Sequence, residues 1–137
     1  ALRLYALQQQ GNDWLVYAPA PQRRAHADAD PAASGLTLFA ALARLNGDAQ
    51  NRSNIDRRVE QALATTRLDA LTNSLNHLVS SLRSSRLPVD YARLGQELYQ
   101  FQFGYEAAGR VRFLWTQDYY YQSEQLTSTE GKTNHDN

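Results

Sequence analysis

The sequence has no cysteine, one lysine against thirteen arginines, and no apolar run near the length that crosses a bilayer. Each absence excludes something. Without thiols there is no disulfide, no thiolate zinc site and no cysteine nucleophile, and an intracellular, cytoplasmic address is favoured. Without about 18 to 20 consecutive apolar residues there is no membrane span. The opening stretch ALRLYALQQQ lacks the layout of a signal peptide. Net charge is also missing: 14 basic residues balance 14 acidic ones, which argues against a free-standing, strongly basic polyanion binder.

Catalytic signatures are equally scarce. His26, His77 and His135 are far apart and fall in a loop, a helix and a tail, so they do not converge by sequence, and His77 reads as a polar helix residue. His26, Asp28 and Asp30 are hard-metal ligand types, but they sit among proline and alanine that fix no geometry. There is no glycine-rich phosphate loop, no nucleophile elbow and no His-x-x-x-His pair. The expectation is a protein without catalytic activity, cofactor or metal.

What is present is helix. With 42% apolar residues in 137, the chain can bury the core of one domain, or of two small helical units sharing a core. Leu2, Leu4, Tyr5 and Leu7 run into a glutamine series that stops at Gly11, which reads as the last turns of a helix. The stretch YAPAPQRRAHADADPAASG, about residues 17–35, holds Pro19, Pro21 and Pro31 and is expected to be a long mobile connector. GLTLFAALARLNG then gives a short apolar helix over 36–46, stopped by Asn46 and Gly47.

The next stretch, SNIDRRVEQALATT, has Ser53 or Asn54 as its N-cap and Ile55, Val59, Ala62 and Leu63 at helical spacing. At about 100° per residue, Arg57 falls nearly opposite that stripe and Arg58 on its flank. In RLDALTNSLNHLVSSLRSS, Leu68, Leu71, Leu75, Leu78, Val79 and Leu82 keep the helical period over four turns. The opposite face, Asn73, His77, Ser80 and Ser84, is polar but uncharged, whereas a solvated face usually carries Glu and Lys. It is a candidate contact face. After a proline turn, Asp90 caps a helix that buries Leu94, Leu98 and Phe101 and ends at Gly104.

A last helix spans about 106–122 and includes GRVRFLWTQDYYYQ. Ala107, Val111, Leu114 and Trp115 share one face with Asp118, and a carboxylate there needs a partner because a bare buried charge is too costly. A structural ion pair is expected for Asp118, with Arg58 or Arg93. Phe113 and Tyr120 lie on the opposite face, so either another helix or a partner covers it. The remaining residues, 123–137, are polar and non-periodic and read as a disordered tail. The organisation expected is all-α, two small helical bundles packed together: 1–50, with a further helix upstream of Ala1, and 51–122.

The ordered series NRSNIDRRVEQAL, LVSSLRSSRLPVDYARLGQELYQF and RVRFLWTQDYY resembles CasB, the small subunit of Cascade, the type I-E CRISPR surveillance complex. Upstream, LYALQQQ resembles that family's helix ending in glutamines, and GLTLFAALARL its short helix leading to the second half. The pattern covers about residues 1–122. Two features depart from it: Asn76 stands where members often carry a basic residue, and the segment before Ala1 has no counterpart in this sequence.

The resemblance implies a non-catalytic subunit, usually paired with a second copy, that works with the other Cascade subunits. It would grip the backbones of crRNA and target DNA and stabilise the displaced strand of the R-loop without reading sequence. Gripping a backbone needs a row of exposed cations, each releasing condensed counterions. Carried over by position, the binding residues are Arg57, Arg58, Arg83, Arg86, Arg110 and Arg112, followed by Arg44 and Arg52; Arg23 and Arg24 lie in the connector. Arg58 has a rival role as partner of Asp118. The alternative is a helical protein-interaction or dimerisation adaptor with no nucleic-acid role. If the favoured arginines share a surface free of carboxylates, nucleic acid is the better reading; if they are scattered and paired with Asp or Glu, the adaptor is.

Overall fold

The computed structural model describes residues 1–21, 35–45, 52–83 and 85–135, and the side chains of these except at 52, 53 and 122–135. Six α-helices follow one another: α1 (Leu2–Gln9), α2 (Leu38–Leu45), α3 (Arg52–Ala64), α4 (Leu68–Ser81), α5 (Tyr91–Phe101) and α6 (Tyr105–His135). No strand forms among the described residues, so the protein is all-α. Neither is any described helix long and apolar enough to cross a membrane. The connector's centre, with Arg23, Arg24 and residues 26–30, and the Asn46–Gly47 stop lie outside the described residues.

One continuous core runs through the helices, and the two parts expected on either side of residue 50 share it. The packing crosses that boundary: α2 lies along α6, while α1 packs on α4 and α5. Phe39 of α2 stacks on Trp115 of α6 at 5.1 Å between ring centroids, and Phe101 of α5 lies parallel to the same indole at 6.3 Å. The leucines of α4 and of its C-cap behave as their spacing predicts, since Leu71, Leu75, Leu78 and the capping Leu82 are fully buried. Leu68, in the first turn, is instead exposed.

The ends of the connector are tied down first by backbone hydrogen bonds. Val89 N–H donates to the Val16 carbonyl at 2.9 Å and Asp90 N–H to the Leu36 carbonyl at 2.8 Å, so the segments around residues 17 and 36 are both joined to the turn before α5. Gly35 makes this approach possible: a Cβ there would lie 2.0 Å from the Ala18 carbonyl oxygen. Asp90 supplies the polar half of the clasp. Its carboxylate accepts from Arg93 N–H, as the capping pattern predicts, and from the buried Ala20 N–H, each at 3.0 Å. Arg93 returns across it, 3.6 Å from the carboxylate, and donates to the carbonyls of Ala20 and Pro21. Asp90→Ala is expected to lower stability by about 2–3 kcal/mol in urea denaturation, the sum of a lost cap and a buried donor left without its acceptor.

Two boundaries differ from expectation. Helix α3 begins at Arg52, which puts Ser53 and Asn54 inside the first turn rather than at the cap. Helix α6 passes residue 122 and continues to His135. No proline interrupts residues 105–135, and the glutamate, glutamine and threonine there propagate a helix at modest cost even without an apolar face.

Candidate nucleic-acid interface

The core-facing stripes decide which polar side chains reach the surface. Ile55, Val59 and Ala62 turn α3 into the core, so Arg57 and Arg58 emerge exposed on the side toward α4. On α4 the buried leucines point Asn73, His77 and Ser80 outward. Two recesses lie along the α3–α4 junction, one lined by Asn54, Arg57, Arg58, Gln61, Asn73 and His77, the other continuing past Arg58 and His77 to Ile55 and Leu45. A third lies between α1 and α4, lined by Arg3, Gln10, Asn73, Asn76, His77 and Ser80. The three share His77 and are together called the furrow: between Arg57 and Arg58 on the α3 side and Arg3 on the α1 side, its described lining is uncharged, made of amides and hydroxyls with Ala6 and Leu7 on the α1 flank. None of the described residues lining the three recesses is acidic.

The acidic side of α3 faces the other way. Tyr119 of α6 donates its hydroxyl to Asp56, a part-buried contact between α3 and α6. Burial, and then the nearby carboxylates of Glu60 and Asp56, hold the Tyr120 hydroxyl above its ordinary range. Helix geometry thus separates charges that cancel in the sum: Asp56 and Glu60, one turn apart, face α6, and Arg57 and Arg58 face the furrow.

The remaining predicted residues are less concentrated. Arg83 is exposed at the end of α4 and donates to the carbonyl of Gln10 at 3.2 Å, which places it near the α1 end of the furrow. Arg44, Arg86 and Arg110 are exposed but line none of the three recesses. Arg112, on α6, is half-buried, and its Nε is sealed from solvent with no hydrogen-bond partner among the described residues. The Arg52 side chain lies outside the described residues. None of Arg44, Arg57, Arg58, Arg83, Arg86 and Arg110 makes an ion pair among the described residues, whereas Arg67 pairs with Asp69 at 3.0 Å and Arg93 with Asp90. Arg3, Asn54, Gln61 and the central place of His77 were not predicted. The uncharged face of α4 was the one signal for them in the sequence, because the furrow is made only when α1 and α3 pack beside it.

A second surface lies on α6 and the α5–α6 turn. Phe113 is 61% exposed and Tyr120 43%, so no described helix covers the second apolar face of α6. Tyr99, Phe103 and Tyr105 are exposed as well, with the rings of Tyr99 and Phe103 edge to face at 4.8 Å. The buried stripe is Ala108, Val111, Trp115 and Tyr119, and Leu114 and Asp118 lie half-buried at its border.

Comparison with known proteins agrees with the series of motifs. Among curated proteins no sequence matches. Among solved structures, that of CasB from Thermobifida fusca is similar, with 29% identity and a TM-score of 0.65 over 86% of this chain. The chain spans 58% of the length of that protein. The model of the family described as CRISPR-associated protein Cse2 matches residues 1–120. The all-helical core, the paired-arginine helix beside the leucine-rich helix and this match over most of the chain have one reading: the protein belongs to the CRISPR-associated Cse2 family.

Proposed function

We propose that the protein is a non-catalytic subunit that holds nucleic-acid backbone within the crRNA-guided complex, stabilising the displaced strand of the R-loop without reading its sequence. The observation that carries this is the furrow between α1, α3 and α4, which has arginines toward both ends and no carboxylate among its described lining residues. Uncharged amides suit such a role, since they donate to phosphate or sugar oxygens without the cost of burying further charge. Arg57, Arg58 and Arg83, joined by Arg3, carry the primary contacts. Arg44, Arg52, Arg86, Arg110 and Arg112 form a second group that meets strands following a longer path over the surface. Its partners are crRNA, the target and displaced DNA strands, the other Cascade subunits and a second copy of the chain, in the cytoplasm. The exposed aromatics around Tyr99, Phe103 and Phe113 suit the protein contacts, since aromatic side chains supply the anchors of such interfaces.

The expected ion pair of Asp118 is kept only as the rival to the place of Arg58 in the furrow: among the described residues Arg58 makes no ion pair, and Arg93 serves Asp90 and two carbonyls. If Arg58 acts only in the furrow, Arg58→Ala leaves the melting temperature within about 2 °C of wild type, as expected for an exposed side chain. A drop well beyond that, reproduced by Asp118→Asn, assigns Arg58 to the pair.

The direct test is titration of labelled single-stranded DNA and RNA of unrelated sequences with the protein, at about 50 and 200 mM salt. Binding that is indifferent to sequence and weakens steeply with salt is the expected result. If neither the protein alone nor the reconstituted complex shows salt-dependent contact through these arginines, the adaptor reading replaces this one.

A further inference from the structure

His77 is the middle of the furrow and lines all three of its recesses. Arg57 and Arg58 face it from α3 and Arg3 from α1, while Leu45, at the end of α2, adds no charge. The neighbours on its own helix, Asn73, Asn76, Ser80 and Ser81, are uncharged. The ring is exposed, so a bound strand and water both reach it. Every other described residue on the floor between those arginines has a fixed charge of zero. An imidazole alone can change its charge between about pH 5 and pH 8.

We propose, resting on the nucleic-acid reading above, that His77 is a phosphate-binding residue whose contribution depends on its proton. As an imidazolium it joins the Arg57–Arg58 end of the furrow to the Arg3 end, making one unbroken cationic track for a single-stranded phosphodiester backbone. The physical reason is linkage. Among the described residues lining the furrow no carboxylate stabilises a positive ring, whereas a polyanion lying in it does, so strand binding and proton uptake reinforce each other. The furrow therefore holds a strand more tightly in mildly acidic than in mildly alkaline solution, with no change in fold.

The test uses the full chain and a labelled single-stranded DNA of mixed sequence, titrated over a salt series at about pH 5.5 and about pH 8. Wild type should bind several-fold more tightly at the lower pH. Its plot of log affinity against log salt should steepen there by about 0.7, the increment for one further phosphate neutralised on a single strand. His77→Gln, which keeps a polar side chain without the titrating ring, should show the shallow slope at both pH values, and His77→Arg the steep slope at both. A pH difference that survives in His77→Gln overturns the assignment, because some other group then takes up the proton. Salt-dependent binding with the same slope at both pH values removes the role of His77 and leaves the furrow standing. No salt-dependent binding at either pH overturns both readings together. Thermal melts of the two variants, expected to match wild type because the side chain is exposed, keep a folding defect from imitating the loss.

Discussion

Replacing Arg57 and Arg58 together by alanine is expected to weaken binding to single-stranded nucleic acid by about tenfold or more at about 50 mM salt, and to flatten the salt dependence by about 1.4. The slope is the more informative quantity. Each arginine that lies on a phosphate releases condensed counterions, and on a single strand each such arginine adds about 0.7 to the slope. Taking two arginines off the phosphates therefore predicts the figure, whatever the sequence bound. Stability should barely move, since both side chains are exposed and neither makes an ion pair among the described residues. The same substitution made at Arg67, which is exposed but paired with Asp69, provides the control: it removes charge while leaving the strand held as before. If Arg67→Ala flattens the slope as much as the pair does, affinity follows total charge and the furrow has no special place. If only the Arg57–Arg58 pair does so, the effect belongs to the α3–α4 junction.

Trp115→Ala should have the largest effect on the fold, a loss of about 5 kcal/mol, which is a large part of the total stability of a domain this size. The indole is 1% exposed and lies between Phe39 and Phe101, so its removal opens a cavity where α2, α5 and α6 meet. It also deprives the buried Glu97 of the indole N–H that donates to it. The two contributions can be separated. Trp115→Phe keeps an aromatic ring in the stack and removes the donor, and is expected to cost about half as much. Urea denaturation followed by circular dichroism measures both. A loss below about 1 kcal/mol for Trp115→Ala would mean that α6 is not held through this ring.

The sequence by itself determined the helices. The period of Leu71, Leu75, Leu78 and Leu82 fixed both the existence of α4 and its buried face, and Asp90 and Gly104 marked the two ends of the α5 segment, because capping and periodicity are local properties of a chain. The outward direction of Arg57 followed from the same geometry, and the order of these elements was enough to indicate the family. Ends without such a signal were less legible. Helix α6 continues past residue 122, and α3 starts at Arg52 ahead of its apparent cap, since a cap-type residue can also sit in a first turn.

Only the tertiary structure decided what lies beside what. Arg3 and His77 are 74 positions apart, and no pattern joins them until α1 packs against α4. The neutral sum of charges hid a separation that exists only across the body of α3, with Asp56 and Glu60 toward α6 and the arginine pair toward α4. The second apolar face of α6 is the reverse case: the sequence showed that the face exists, and the packing decided that no described helix covers it. Periodicity tells each helix which side to bury, but the neighbour on every other side is set by how several buried faces fill one core together.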